Sequence, residues 1–272
     1  MRWGRNRLLV LLLVLGLTVA LVGCGGGGTA TPQGSGGDGA ASQGGEKVYI
    51  VGTEPTFPPF EYIDENTGEI VGFDIDLIKA IADAAGIKVE VQSLGFDGLI
   101  PALQAGNIDI VIAGMTVNEE RAQAVDFGPS YWEAYLQIAV TADNDEIKSV
   151  EDLKGKTVGV QIGTTGAFKA EELKEQGIVK EVKTYNTVDV IFLELMQGTI
   201  DAVINDLPVT EAYMARNPGK IKLTGEPFEG EEYAYAVAKG NAELLEKLNA
   251  GLEQVKADGT FDELVLKYFG GE

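Results

Sequence analysis

A cation and an acid occupy matching places in this chain. Arg121 follows the stretch Gly106-Asn107-Ile108-Asp109-Ile110-Val111-Ile112-Ala113-Gly114-Met115-Thr116, and Asp206 follows Gln197-Gly198-Thr199-Ile200-Asp201-Ala202-Val203-Ile204-Asn205. Both stretches carry the order Gly-x-Ile-Asp-x-Val-Ile. The first copy ends in a hydroxyl and a guanidinium, the second in a carboxylate. Either charge alone reads as a solvated surface group. In equivalent positions after similar strands, they read as a matched pair for the carboxylate and ammonium of a zwitterion.

The elements that must position them follow from the same residues. Residues 108–112 form a short apolar run with β-branched side chains, long enough for a buried strand and too short for a helix. Gly114 lets a backbone approach a ligand closely, and Thr116 offers a hydroxyl. Asn118-Glu119-Glu120-Arg121 reads as a capped helical turn that aims the guanidinium back at the strand's end. If each copy is the central strand of its own parallel sheet, ligands belong at the carboxyl ends of those strands.

Upstream, residues 1–23 carry Arg2, Arg5 and Arg7 and then an uncharged apolar run over 8–22, the layout of a secretory signal rather than a spanning helix. Leu21-Val22-Gly23-Cys24 resembles a bacterial lipobox, which implies cleavage before Cys24 and a lipid on its sulfur. Residues 25–45 are Gly, Ser, Ala, Thr, Pro and Gln with one Asp; such a segment cannot bury a core and reads, with Cys24, as a tether over 24–45. Its typical reach is on the order of 25 Å.

The chain has 42 acidic and 21 basic residues, and losing the three leader arginines moves the formal charge from −21 to about −24. That balance argues against nucleic acid and against direct binding to anionic lipid. One cysteine excludes an internal disulfide, and the absence of histidine excludes a His-based metal site or triad. No metal and no cofactor is expected.

Residues 46–272 alternate strand and helix signals. Strands are expected at 48–52, 89–91, 108–113, 157–162, 180–185 and 200–204. Helices are expected from Gly72-Phe73-Asp74 to Gly86 and at 99–104, 167–176, 188–196, 210–216, 242–257 and 261–269. Residues 53–60 hold three prolines and read as a rigid loop. Extended exits at 135–142 and 233–238 make the first unit discontinuous. The expected organisation is lobe 1 from 46–130 and 234–272, a hinge of 131–135 and 229–233, and lobe 2 from 136–228.

Several motifs, in order, resemble the bacterial extracellular solute-binding proteins of the polar amino-acid class. They are Gly72-Phe73-Asp74-Ile75-Asp76-Leu77, the loop over 54–60, Phe96-Asp97-Gly98-Leu99-Ile100-Pro101-Ala102-Leu103, the stretch 113–121, Gly163-Thr164-Thr165-Gly166 and Asn205-Asp206. The resemblance implies an α/β, two-lobed type II periplasmic-binding fold: two mixed, mainly parallel sheets flanked by helices and joined by a two-stranded hinge. It further implies that Arg121 holds a ligand α-carboxylate, with Thr116 and the backbone of Gly114 and Met115 helping to hold the carboxylate and ammonium. Thr164 and Thr165 add donors at a helix N-terminus, and Asp206 takes the ammonium. Phe57 and Phe96 correspond to aromatic walls, and Glu54, Gln161 and Asn205 to positions that read the ligand side chain. Glu54 beside aromatics suits a basic amino acid (arginine, lysine or histidine); as a hydrogen-bond acceptor it also suits glutamine.

The resemblance thus implies a monomeric receptor, lipid-anchored outside the cytoplasm, that captures a free amino acid by hinge closure and hands it to an ABC transporter permease. The same fold resembles cyclohexadienyl dehydratases, but nothing here pairs an acid with a base of complementary tuning. A non-enzyme is expected.

Overall fold

The structure, a computed structural model, describes residues 47–270. The signal segment, Cys24 and the tether lie outside the described residues. Among the described residues no helix is long and apolar enough to cross a membrane.

Two mixed sheets flanked by helices carry the fold. The first runs Lys88–Ser93, Val48–Thr53, Ile110–Val111, Ala236–Ala238, Val125–Phe127. The second runs Glu181–Tyr185, Thr157–Gln161, Ala202–Asp206, Trp132–Thr141, Ile221–Thr224, with Gly230–Tyr233 also paired to Trp132–Thr141. The sheets are mixed as expected, but parallel pairing covers only one side of each. Ile110–Val111 and Ala202–Asp206 each have a parallel neighbour on one flank and an antiparallel one on the other. The antiparallel partners are the strands by which the chain leaves and re-enters.

The repeated Gly-x-Ile-Asp order has a physical cause in this topology. Its two copies supply the middle strand of each sheet. Asp109 accepts the backbone N–H of Ile50 at 2.9 Å, and Asp201 accepts that of Thr157 at 2.7 Å, so each aspartate sets the register of its middle strand against its parallel neighbour. Ile108 and Ile200 fill the space above Gly52 and Gly159, where an added Cβ would come within 2.5 and 2.4 Å of their Cδ1 atoms. The two halves are built alike because they solve one packing problem.

Several boundaries differ from expectation. The ladder of the first middle strand covers only Ile110–Val111 within the expected 108–113. The 53–60 loop includes Thr56–Phe57, paired with Glu61–Ile63 in a small three-stranded sheet, an edge position that proline-flanked residues tolerate. Helix Phe96–Gln104 begins three residues before the expected 99, after extended Gly95 and with Asp97 in its first turn. Helix Leu207–Arg216 likewise starts three residues before 210, because Pro208 is well suited to a first turn.

The chain passes between the sheets twice, through Trp132–Thr141 and Gly230–Tyr233, which pair antiparallel from Trp132↔Tyr233 to Tyr135↔Gly230. Aromatic side chains pack around this crossing. Phe60 meets Tyr233 edge-on at 5.2 Å between centroids, and Trp132 stacks on Phe269 at 4.0 Å. The last helix, Thr260–Phe269, is tied back to helix Phe73–Ala84 by Lys267 and Tyr268, each 2.6 Å from Asp76.

Candidate functional site

Where the two sheets face each other, a small cavity of about 10 Å³, room for about one water, lies at the carboxyl ends of the parallel strands. It is lined by Phe57, Phe96, Gly114, Thr116 and Arg121 from the first half, and by Gln161, Thr164, Thr165 and Asp206 from the second. Larger depressions of about 450 and 430 Å³ open elsewhere on the surface, around Gln197 and Lys220 and around Tyr62 and Arg216. The smaller cavity is the better candidate, because it alone among them brings a buried cation and a buried acid onto one space.

Arg121 is buried, and each of its anchors is explicit. Asn118 caps helix Glu119–Ala124 by accepting the Arg121 N–H at 2.8 Å, which fixes where the side chain starts. Its guanidinium donates to the carbonyl of Thr116 at 2.7 Å and, across the gap, to that of Gly163 at 3.0 Å. Phe96 covers one face, 5.3 Å from the guanidinium carbon. Two of five N–H donors are thereby committed, and the rest remain for an anion. Burial lowers the guanidinium's pKa while Glu231 and Asp206 oppose that shift; it stays cationic.

Asp206 ends the second middle strand and accepts the Tyr233 hydroxyl. Burial, and then the charge of Glu231, push its carboxyl up to about 7, against the opposing pull of Tyr233 and Arg121. Asn205 beside it is buried and turns its amide toward the Asp206 carbonyl at 3.4 Å.

Gly114 has φ +52, and an added Cβ would fall 2.6 Å from a Phe57 ring carbon, so only glycine lets this backbone pass the aromatic wall. Its N–H is held at 2.8 Å by Asp74, which turns inward from the first turn of helix Phe73–Ala84 and also accepts the Tyr131 hydroxyl at 2.7 Å. Burial raises Asp74 to about 6, and drives its buried neighbour Glu61 well above the usual carboxyl range. Met115 is buried beside this turn.

Thr164 is the N-cap of helix Thr165–Glu175. Its hydroxyl donates to Gln161 at 2.7 Å and accepts from Ala167 at 3.1 Å, so it serves the helix and not the cavity. Thr165 keeps its hydroxyl toward the centre, as does Thr116. Glu54 does not line the cavity; it lies one contact behind, accepting from Gln161 at 2.9 Å and Thr56 at 2.7 Å, with burial raising its pKa. Among the described residues no group of three or more His, Cys, Asp or Glu side chains could hold a metal.

Sequence reasoning missed Glu231 and Tyr233, which the returning strand places against Thr116, Thr165 and Asp206. The only signal was an acidic Glu229-Gly230-Glu231-Glu232 run just before Tyr233. Asp74, expected only as part of the helix that opens at Gly72, is a buried clamp on Gly114.

These buried acids set a pH dependence. With folded values of about 6 for Asp74 and about 7 for Asp206 above the ordinary 3.8, the folded chain keeps protons that the unfolded chain has lost. Their contribution is complete below about pH 4 and is lost as pH rises through 6 and 7. Urea melts of the folded part are expected to show stability falling between pH 5 and pH 8, by at least about 1 kcal/mol. A flat or rising midpoint across that window would contradict the assignment.

Residues 49–271 match the model of the family described as bacterial extracellular solute-binding proteins, family 3. The arginine-binding extracellular protein ArtP of Bacillus subtilis (strain 168) is 35% identical over 266 residues, covering 97% of this chain and 98% of its own. Among solved structures, an ancestral arginine-binding protein bound to arginine is similar with a TM-score of 0.78 and 52% identity, over 82% of this chain and 98% of that one. An ancestral arginine-binding protein bound to glutamine matches with the same figures.

Proposed function

We propose, because this chain belongs to the bacterial extracellular solute-binding proteins, family 3, that it captures a free basic amino acid between its two sheet-bearing halves and passes it to a membrane ABC importer. The observation that carries this reading is that Arg121, on a helix of one half, and Asp206, at the end of a strand of the other, line one cavity. Arg121, oriented by the Thr116 and Gly163 carbonyls, takes the α-carboxylate, and Asp206 takes the ammonium. Thr116, Thr165 and the backbone of Gly114 and Met115 complete the fixed end, while Phe57 and Phe96 wall the cavity. Gln161 faces the variable end with Glu54 behind it, and Asn205 supports Asp206 from beside it. The paired segments 131–135 and 229–233 act as the hinge between lobe 1 and lobe 2, and ligand contacts from both lobes favour the closed state. Cys24 carries the lipid that keeps a monomeric receptor at the outer face of the membrane.

Titration calorimetry with the twenty amino acids tests this: saturable binding of L-arginine, L-lysine or L-histidine is expected, and no binding by any of them overturns it. Glutamine is the second reading, because Gln161 stands between Glu54 and the cavity and can meet an amide by itself. Replacing Glu54 with Gln separates the two. Removing a buried charge one contact behind the cationic side chain is expected to weaken L-arginine by about 10- to 100-fold, with L-glutamine changed by less than about threefold. Equal losses for both would assign Glu54 to holding Gln161 alone.

A further inference from the structure

The returning strand Gly230–Tyr233 runs beside the fixed end of the cavity. Its backbone is locked there, with Val117 N–H on the Glu232 carbonyl at 2.8 Å and Ala234 N–H on the Met115 carbonyl at 3.1 Å. This register projects Glu231 between the two halves. One carboxylate oxygen, Oε2, accepts the Thr116 hydroxyl at 2.8 Å and the Thr165 hydroxyl at 2.8 Å, and Glu231 is the leading charge acting on Arg121. Two residues along, Tyr233 donates to Asp206.

We propose that Glu231 is an internal competitor for the ligand's α-carboxylate and a latch between the halves. The inference rests on the binding role assigned to Arg121, Thr116 and Thr165 above. A threonine hydroxyl has one proton to donate, and both protons here go to the same oxygen. An incoming carboxylate needs those protons and the same guanidinium, and two carboxylates cannot share them without like-charge repulsion. Ligand entry therefore displaces Glu231. Its displacement lowers the observed affinity, and its retention holds the two halves together through Thr116 on one side and Thr165 on the other.

The test uses Glu231→Gln and Glu231→Ala in the whole folded chain, with L-arginine and L-glutamine as probes and small-angle scattering of the protein without added amino acid. Both variants are expected to bind the amino acid that the unsubstituted protein binds about tenfold more tightly, a change in keeping with removing one charged hydrogen-bond competitor. Scattering should show a larger radius of gyration for Glu231→Ala. Unchanged or weaker binding in both variants would overturn the competitor, and weaker binding would make Glu231 a ligand-holding group. If the unsubstituted protein binds neither probe, the amino-acid reading fails, and scattering still decides the latch: an unchanged radius in Glu231→Ala overturns it. Glu231→Gln, nearly identical in shape, preserves the test if the alanine variant folds poorly.

Discussion

Arg121→Ala is expected to weaken amino-acid binding by at least about 100-fold, measured by calorimetry against the unsubstituted protein. Arg121 is the only cation among the residues lining the cavity, and Asp206 and Glu231 both act on it. Removing one member of a buried, hydrogen-bonded charge set costs about 3–5 kcal/mol, because its partners are left buried without neutralisation. The ligand carboxylate would meet that field with no opposing charge. Arg121→Lys should recover only part of the loss, since an ammonium cannot reach the Thr116 and Gly163 carbonyls and still present a planar fork to a carboxylate. Affinity within a few-fold of the unsubstituted protein in the alanine variant would remove the carboxylate clamp from the mechanism.

Gly72→Ala is the substitution expected to damage the fold most. Gly72 has φ +135, and an added Cβ would lie 2.1 Å from the carbonyl oxygen of Phe60, a contact that no side-chain rotation relieves. The helix that starts after it carries Asp74 to the Gly114 N–H and Asp76 to Lys267 and Tyr268, so backing the helix away loosens the site floor and the docking of the last helix together. A loss of about 3–5 kcal/mol is expected, which for a domain of this size lowers the melting midpoint by roughly 10 °C or more. Gly68→Ala is a useful contrast: it too has positive φ, but open space surrounds its Cβ position, so backbone strain of about 1 kcal/mol is all that applies. Similar melting midpoints for the two variants would show that the Phe60 contact relaxes freely.

How much of this was readable beforehand depends on the range of the interaction. The alternation of strand and helix, the Asn118 cap and the two Gly-x-Ile-Asp stretches are local patterns, because hydrogen bonds over three or four residues and strand periodicity are written into neighbouring side chains. Even the symmetry of the halves showed in the repeat, although its cause, the Asp109 and Asp201 register bonds, spans 59 and 44 residues. Helix starts were missed by three residues at Phe96 and Leu207, where a glycine cap and a first-turn proline mark the starts without a side-chain cap.

By itself the sequence determined the two-part α/β plan and the residue types able to hold a zwitterion, since these depend on composition and short spacing. Tertiary structure alone decided where each hydroxyl's proton goes. Thr164 spends its own on its helix while Thr165 does not, and Glu231 reaches Thr116 from 115 residues away. A donor has one proton to give, and which acceptor receives it is settled only when distant strands are brought within about 3 Å of each other.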